Sequence, residues 1–378
     1  VQDMKIEKKD VVLTPPLSLE GKSLDLDYKS PNILQLIFSL FKNLPPLLNL
    51  PKSQLQGYGE LVYCVNQDML SKCAAGETPI DRMISVVAWN ISTFRMPVFG
   101  AIPYNPILGE THHASRGTLN VLLEQVSHHP PITALHATDE TNNIELIWCQ
   151  YAVPKFYGTV VDGKIHGERR LNLLQKGENY VMHSPTIQYR LLPKPGVALV
   201  GNVNIKCQET GLEAELSFKS GSILGFGGEI GAIKGKIIDS SSLKKLYDIH
   251  GRWDRTVYIK DITNDSTKVL FNAKETISKL PTPILRDLEG VWQSESALVW
   301  AEVSKSIISK DWDKASKAKR DLEEKERKLV KQRKSLGEEW VPKHFYLSYN
   351  PEFGWGCSPK QKIVQPGPIS FPLNSTSL

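Results

Sequence analysis

Long apolar runs and closely spaced cysteines are both missing from this 378-residue chain. No stretch approaches the ~18 apolar residues of a membrane-spanning helix, and the charged start, VQDMKIEKKD, lacks the apolar segment of a signal peptide. The five cysteines are scattered and form no C-x-x-C pair, which is typical of reduced intracellular thiols rather than of disulfides or a zinc site. We therefore expect a cytoplasmic protein whose membrane contact is peripheral.

Neither sign of charge dominates the sequence. The chain has 46 basic and 41 acidic residues, a net charge of +5, which is too small to predict a nucleic-acid partner but is compatible with an anionic membrane surface or ligand. The apolar fraction of 40% and the charged fraction of 23% are those of ordinary globular proteins. We expect a monomer that binds no nucleic acid.

Familiar catalytic and nucleotide-binding motifs are also missing from the sequence. It contains no G-x-S-x-G and no H-E-x-x-H, and the glycine-rich stretch GSILGFGGEIGAIKGK lacks the G-x-x-x-x-G-K-[ST] spacing of a phosphate-binding loop. We accordingly predict no enzymatic activity, no catalytic residue, no metal ion and no cofactor.

What is present is a pair of adjacent histidines, His128 and His129, in the stretch LEQVSHHPPI. Adjacent residues on a strand face opposite sides of a sheet, so the two are poorly placed to share a metal ion. Ser127 could act as a nucleophile only with a base within reach and on an exposed turn, and no motif here indicates such a turn. From the residues alone two interpretations stay open: a packed pair at a strand end, or two donors that bind an anion such as a phosphate.

The hydrophobic pattern changes twice along the chain. Apolar residues at helical spacing predict helices over 33–44 and 79–94, the second capped by Asp81. From about 117 to 275, short β-rich runs separated by turn residues, His250–Gly251 among them, predict an antiparallel meander. Helical spacing returns in SESALVWAEVSKSIISK and in the long charged helix that ends at Gly337, and the tail from Pro342 is predicted to be irregular.

Two stretches resemble the signature of the oxysterol-binding protein-related family: EQVSHHPP, residues 124–131, and YNPILGE about twenty residues upstream. Later stretches, GRWDRTVYIKD, SALVWAEV and LGEEWVPKHF, follow in the order that the family shows. The resemblance extends from the first helix to about residue 345 and is strongest to the short members, which consist of the lipid-binding domain alone.

The resemblance implies a mainly β fold with flanking helices: a nearly closed antiparallel β-barrel around an apolar tunnel, with an N-terminal helical lid and a C-terminal helical subdomain. The implied organisation is an N-terminal segment (1–30), the lid and a linker (31–56), a helical entry region and the start of the barrel (57–116), the barrel (117–280), the helical subdomain (281–345) and an irregular tail (346–378). The lid residues at the tunnel mouth would be Ile33, Leu36, Ile37, Leu40 and Phe41.

The function that the resemblance implies is intracellular lipid transfer. Members hold one sterol or one phospholipid in the tunnel, and many exchange it for phosphatidylinositol 4-phosphate between membranes, often at endoplasmic reticulum contact sites. A lipid-gated sensor or scaffold without net transfer is the first alternative, and a lipid phosphate or ester hydrolase is the second.

The resemblance also assigns a headgroup site. His128 and His129 correspond to the histidines that grip the 4-phosphate in family members, and Asn105 corresponds to an asparagine near the same headgroup. Ile102 stands where members commonly carry a lysine. Loss of that cation is expected to weaken phosphoinositide binding by about 1–3 kcal/mol, the scale of a charge-assisted hydrogen bond.

The last assigned residues lie on the long C-terminal helix. Lys319, Glu323 and Arg327 correspond to a family trio spaced i, i+4, i+8, and this spacing puts the three side chains on one helix face. The two cations would donate to phosphate oxygens while the carboxylate orients them. The same spacing is also common on solvated helix surfaces, where such pairs contribute little.

Overall fold

Strands dominate the part of the chain that the computed structural model describes, which is residues 10–17, 19, 46–95, 102–190, 196–219 and 230–373. The strands are β1 (Asn49–Ser53), β2 (Ile102–Tyr104), β3 (Thr111–Arg116), β4 (Leu119–His128), β5 (Pro131–Asp139), β6 (Ile144–Tyr157), β7 (Val160–His166), β8 (Arg169–Leu173), β9 (Glu178–Met182), β10 (Thr186–Arg190), β11 (Gly196–Cys207), β12 (Leu212–Phe218), β13 (Ala232–Asp239), β14 (Lys245–Arg252), β15 (Thr256–Asp261), β16 (Thr267–Asn272), β17 (Ile284–Leu285), β18 (Phe345–Asn350), β19 (Gly354–Pro359) and β20 (Ile369–Ser370). The helices are α1 (Gln54–Tyr63), α2 (Met69–Ala75), α3 (Pro79–Ser92), α4 (Ala273–Ile277), α5 (Ser296–Val299), α6 (Ala301–Ile308) and α7 (Trp312–Leu336).

The large sheet is antiparallel along most of its length and curls into a ring. Its hydrogen-bonded order runs from β16 through β10, continues from β7 to β3, and ends at β20 and β17, while β8 and β9 pair with each other and bridge β6 and β11. Among the described residues this path does not close, because it ends at β16 on one side and at β17 on the other. The predicted near-closed antiparallel barrel is confirmed as a ring of strands.

Alternation along the strands gives the ring an apolar inner face. Leu123, Leu135 and Trp148 stand opposite one another in the registers of β4 to β6, and all three are buried. Helix α3 packs against this face, with the Trp89 ring 6.3 Å from the Trp148 ring. Each such buried side chain contributes on the order of 1.5–3 kcal/mol. Side chains of the ring and of the inner helices belong to one hydrophobic core.

Local sequence sets the ends of the two longest helices. Thr78, rather than the predicted Asp81, is the N-cap of α3, because its hydroxyl accepts from the Asp81 backbone N–H while the Asp81 carboxylate bonds back to the Thr78 backbone N–H at 3.1 Å. In α7, Asp311 caps the first turn and Gly337 ends the helix with φ 66°. The predicted end of the long helix at Gly337 is confirmed.

Three expectations need correction. The tail predicted to be irregular contains the antiparallel hairpin β18–β19, which packs on the outer face of the ring. The helix predicted from SESALVWAEVSKSIISK is two helices, α5 and α6, divided at Trp300. His250–Gly251 lies within β14 rather than at a turn. The predicted lid, residues 33–44, lies outside the described residues.

The C-terminal helices attach to the ring through a buried carboxylate. Glu110 accepts hydrogen bonds from the Ser296 hydroxyl at 2.6 Å, the Trp300 indole at 2.9 Å and the Ile107 backbone N–H at 3.0 Å, and it also bonds to Ser53. Burial raises the pKa of Glu110, and these donors oppose that shift. The attachment fixes α5 to α7 relative to β1 and β2. None of the helices within the described ranges is both long and apolar enough to span a bilayer.

Candidate headgroup site

The histidine pair lies at the turn between β4 and β5. His128 ends β4 opposite Pro131, the first residue of β5, and the His129–Pro130 peptide bond is cis. The two imidazole rings lie 4.7 Å apart, nearly perpendicular to each other. His128 is partly buried and His129 is exposed, so the turn presents imidazole nitrogens at one rim of the ring.

Register puts His128 on the inner side of the ring. Directly opposed residues share a face. Residues two apart on a strand also share a face, so Leu135, Thr133 and Pro131 all lie on the inner face of β5, where Thr133 is paired with Gln150. His128 is paired with Pro131 and therefore lies on the inner face at the rim. The preceding irregularity in β4 puts Ser127 opposite Ile132, on the outer face, so Ser127 and His128 point to opposite sides.

The His128 ring has one used and one unused nitrogen. It donates to the backbone carbonyl of Pro106, which raises its pKa, but burial and the neighbouring His129 lower that pKa more. Nδ1 is enclosed and has no hydrogen-bond partner in the part of the chain that the structure describes. A buried nitrogen without a partner is costly, and an anionic oxygen at this point would both accept a hydrogen bond and favour the imidazolium.

Lys319 approaches the same region from α7. Its side chain is buried, and its Nζ donates to Asn49 Oδ1 at 3.0 Å, while Asn49 Nδ2 donates to the Ile102 carbonyl at 3.0 Å. Burial lowers the pKa of the Lys319 ammonium, and Glu323, whose Oε1 lies 3.9 Å away, opposes that shift. A buried ammonium group is therefore tied to the backbone at Ile102.

The segment 102–106 joins the two parts of the site. Ile102 at one end bonds to the Asn49–Lys319 pair, and Pro106 at the other end accepts from His128. Ile102 and Pro106 are joined by four residues of chain, which span at most about 14 Å when extended. Asn105 lies in this segment with an exposed side chain.

The remaining assigned residues extend away from the histidines along α7. Glu323 is partly exposed beside Lys319, whereas Arg327 is exposed. Eight helical residues separate Arg327 from Lys319 by about 12 Å. Contacts among the described residues do not connect Arg327 with the histidine turn. His128 and Lys319 are thus linked to the two ends of segment 102–106, which contains Asn105, whereas no contact among the described residues links Arg327 to that segment.

Two residues of the EQVSHHPP stretch have an anchoring role that was not anticipated. Glu124 accepts from the backbone N–H groups of Lys343 at 2.7 Å and His344 at 2.8 Å, and so holds the segment that leads into β18. Gln125 accepts from the Thr133 hydroxyl at 2.8 Å and donates to the Ser127 carbonyl at 3.0 Å. The first half of the stretch anchors the turn, and the second half presents the histidines.

A guanidinium group is buried inside the ring. Arg169 stands opposite Trp148, and its Cζ lies 4.1 Å from the Trp148 ring centroid. Its Nη1 donates to the Thr93 hydroxyl at 2.9 Å, and its Nη2 lies 3.5 Å from Gln150 Oε1. Burial lowers the pKa of Arg169 to about 10. The interior therefore offers hydrogen-bond donors as well as apolar surface.

Two tyrosines near this group mark a hollow. Burial raises the pKa of Tyr58, and it raises the pKa of Tyr189 to about 12. Both side chains nevertheless keep accessible surface, and Gln54 Nε2 donates to Tyr58 Oη at 2.9 Å. We call the space beside these partly accessible side chains the hollow of the ring.

Ring, hollow and cationic rim together define a β-sheet domain of the ligand-binding type. The family model described as oxysterol-binding protein matches residues 43–306. The chain is 49% identical over 376 residues to oxysterol-binding protein-related protein 4B of Arabidopsis thaliana, covering 96% of this chain and 98% of that protein. It is 47% identical to protein 4C of the same plant, covering 97% and 100%.

The chain belongs to the oxysterol-binding protein family. Among solved structures it is similar to the Osh1 ORD domain in complex with ergosterol, with a TM-score of 0.74, 22% identity and 92% of each chain covered. It is also similar to the Osh3 ORD of Saccharomyces cerevisiae in complex with PI(4)P, with a TM-score of 0.67, 20% identity and 95% of each chain covered. At these identities the two structures support the fold.

Asn49 is a candidate site residue that the sequence reasoning missed. It lies 270 residues before Lys319 in the sequence and links that side chain to the Ile102 carbonyl. A single asparagine in PPLLNLPKS has no periodicity or motif that distinguishes it. At Ile102, where a lysine was expected in family members, the backbone carbonyl is linked through Asn49 to the buried ammonium group of Lys319.

Proposed function

We propose that this protein is a lipid carrier that holds one lipid in the hollow of the ring and exchanges it for phosphatidylinositol 4-phosphate between membranes. The observation that carries the proposal is the approach of the His128 imidazole and the Lys319 ammonium to the two ends of segment 102–106. Two such donors suit a phosphorylated headgroup, because charge-assisted hydrogen bonds to phosphate are the strong ones.

The tail of the lipid would occupy the hollow. Hydrocarbon shielded from water gains about 25 cal/mol per Å², which gives on the order of 10 kcal/mol for several hundred Å². The bilayer offers the same shelter, so transfer between bilayer and protein is close to neutral. Discrimination between lipids then depends on the headgroup, because hydrocarbon contacts discriminate weakly. The proposed reaction is an exchange without covalent chemistry.

The ligands named for structurally similar proteins fit this division. One neighbour holds ergosterol and another holds PI(4)P, so a single fold accommodates both a sterol and a phosphoinositide in different proteins. For this chain, the inner donors around Arg169 suit a ligand with a hydrogen-bond acceptor near one end. Sterol and phospholipid both meet that condition.

The test is extraction of lipid from liposomes by the double variant His128→Ala/His129→Ala. Loss of two charge-assisted hydrogen bonds, about 1.5 kcal/mol each, predicts roughly 100-fold weaker phosphoinositide extraction with sterol loading retained. The matched control is His183→Ala/His250→Ala, which removes two exposed histidines elsewhere. Equal loss of both ligands in the first variant would instead assign the pair a structural role.

A donor-to-acceptor vesicle assay separates the carrier from a sensor. A carrier moves labelled lipid between the two vesicle populations at substoichiometric protein, whereas a sensor binds the lipid without net transfer. Thin-layer analysis of the same samples reports any hydrolysis product, and we expect the lipids to be recovered unchanged.

A further inference from the structure

Two hairpin tips lie at the same end of the ring as the histidine turn. In the β5–β6 register Ile132 stands opposite Tyr151, and β6 continues for six residues beyond Tyr151 to its tip at Tyr157. Those six residues extend about 20 Å along the strand. The tip of β18–β19 lies here too, since a Cβ atom on Gly354 would be 2.5 Å from Tyr151 Oη.

Both tips expose aromatic side chains. Phe156 and Tyr157 at the end of β6, and Tyr349 and Phe353 on the hairpin β18–β19, are between 50% and 75% exposed. A single exposed aromatic residue is ordinary, but two projections at the same end of the ring that both expose such residues indicate an interaction site. We call these four residues the docking rim.

Basic residues accompany the docking rim. Lys155 and Lys164 are exposed on β6 and β7. Both add to the effect of burial in lowering the pKa of His166, whose ring stacks on Tyr151 at 5.3 Å, and so the two ammonium groups lie close to the rim. Of the nearby acids, Glu352 is exposed at the hairpin tip, while Asp162 accepts a hydrogen bond from Gln188 at 3.0 Å.

We propose that the docking rim inserts into the interfacial layer of an anionic bilayer and so holds the histidine turn against the lipid headgroups. The inference rests on the proposed function, because it identifies the surface through which the carrier meets a membrane. Aromatic side chains concentrate at the level of bilayer headgroups, and lysines near them are attracted to anionic lipid. Projecting tips suit a flat, deformable surface better than a concave protein partner, and the rim lies at the same end of the ring as the histidine turn.

The experiment measures binding to vesicles of phosphatidylcholine with 20% phosphatidylserine and no phosphoinositide, so that headgroup recognition does not contribute. The variant Tyr157→Ser/Phe353→Ser removes one aromatic ring from each tip, and we expect about tenfold weaker partition than for the unmodified protein. The control Leu243→Ser/Ile262→Ser changes apolar residues at the opposite end of the ring, and its partition should match that of the unmodified protein.

The position of the control residues follows from the strand registers. At the docking end, Arg190 is paired with Val160 on one side and with Gly196 on the other. At the far end, Leu212 is paired with Cys207 on one side and with Asp239 on the other. The turn that carries Leu243 follows Asp239, and Leu243 is 73% exposed. The control thus removes apolar surface from the end of the ring opposite the docking rim.

A second measurement separates this inference from the proposed function. Binding of a water-soluble, short-chain phosphatidylinositol 4-phosphate needs the histidines but no bilayer, so the rim variant should bind it normally. Vesicle binding by the rim variant at the unmodified level would overturn the docking inference and leave the carrier intact. Concentration-dependent dimers without vesicles, abolished by the rim substitutions, would also overturn it, because the rim would then join two copies of the chain.

Discussion

A single side chain, Asn49, links the buried ammonium group of Lys319 to the backbone segment that leads to the histidine turn. Its carbonyl oxygen accepts from Lys319 and its amide donates to the Ile102 carbonyl. The ammonium group is thus hydrogen-bonded to a neutral amide, and the Glu323 carboxylate lies 3.9 Å from it. A carboxylate in place of that amide would neutralise the positive charge.

The substitution Asn49→Asp tests this role. We expect at least tenfold weaker phosphoinositide extraction, because the new carboxylate neutralises Lys319 and repels phosphate, with little change in sterol loading. The control is Asn204→Asp, which makes the same charge change on an exposed part of β11. If Asn49→Asp extracts phosphoinositide as well as the control does, Lys319 does not act on the headgroup.

For single residues, the sequence predicted part of the candidate site. The histidine pair was recognisable because its neighbours form a long motif, and Lys319 because its spacing matches a trio on one helix face. Asn49 was not recognisable, since its role depends on α7 folding back onto β1. Whether an exposed group such as Arg327 reaches a ligand depends on tertiary distances that helix periodicity does not contain.

Among the elements, the hairpin β18–β19 depends most on the ring. Within the described ranges it forms a separate two-stranded sheet, and its inner face, which includes Phe345, packs on the outer sides of β4 to β6. An isolated two-stranded hairpin is at best marginally stable in water. The two hydrogen bonds to Glu124 hold the point where this hairpin joins the ring.

We expect Glu124→Gln to loosen the hairpin locally. The change removes the charge from two hydrogen bonds, which lowers the free energy of unfolding by about 2 kcal/mol. Hydrogen–deuterium exchange should accelerate over residues 343–359 while β11 and β12 stay protected. Glu140→Gln, at an exposed turn, is the control. Unchanged protection of the hairpin would show that packing on the ring suffices to hold it.

The elements also show where local sequence is a sufficient guide. The end of α7 was predictable because Gly337 acts within the helix itself. The hairpin in the tail was missed because its stability comes from contacts with residues about 200 positions earlier, such as Cys149, whose Sγ lies 3.8 Å from the Trp355 carbonyl. The division at Trp300 was missed for the same kind of reason: its indole is held by Glu110, far away in sequence.

For the whole molecule, buried histidines make stability depend on pH. Burial lowers the pKa of His344 to about 4, assisted by the neighbouring basic groups Lys343, His113 and Lys360. Burial also lowers the pKa of His113 and that of His128. Each of these groups stays neutral in the folded protein while the unfolded chain takes up a proton below about pH 6.5. Stability is therefore lost as the pH falls below about 6.5, and for His344 this loss continues toward pH 4.

The substitution His344→Phe isolates one of these groups. A phenyl ring preserves the stack on Trp292, whose ring lies 4.8 Å from the imidazole, but it cannot be protonated. Relative to the unmodified protein, the variant should gain about 1–2 kcal/mol between pH 7 and pH 4.5, after allowance for partial exposure. Urea unfolding at the two pH values measures the difference. A difference that stays constant with pH would mean that His344 does not titrate in this range.

The last short strand of the ring has a consequence for how the protein is made. Ile369 and Ser370 pair with β3, whose residues appear at the ribosome more than 250 positions earlier. Until that late segment emerges, β3 lies at an open edge, which is a surface prone to wrong pairing. Translation must therefore run almost to the last described residue before the nascent chain can complete its sheet, and a ribosome stalled in α7 would carry an unfinished ring that needs chaperone protection.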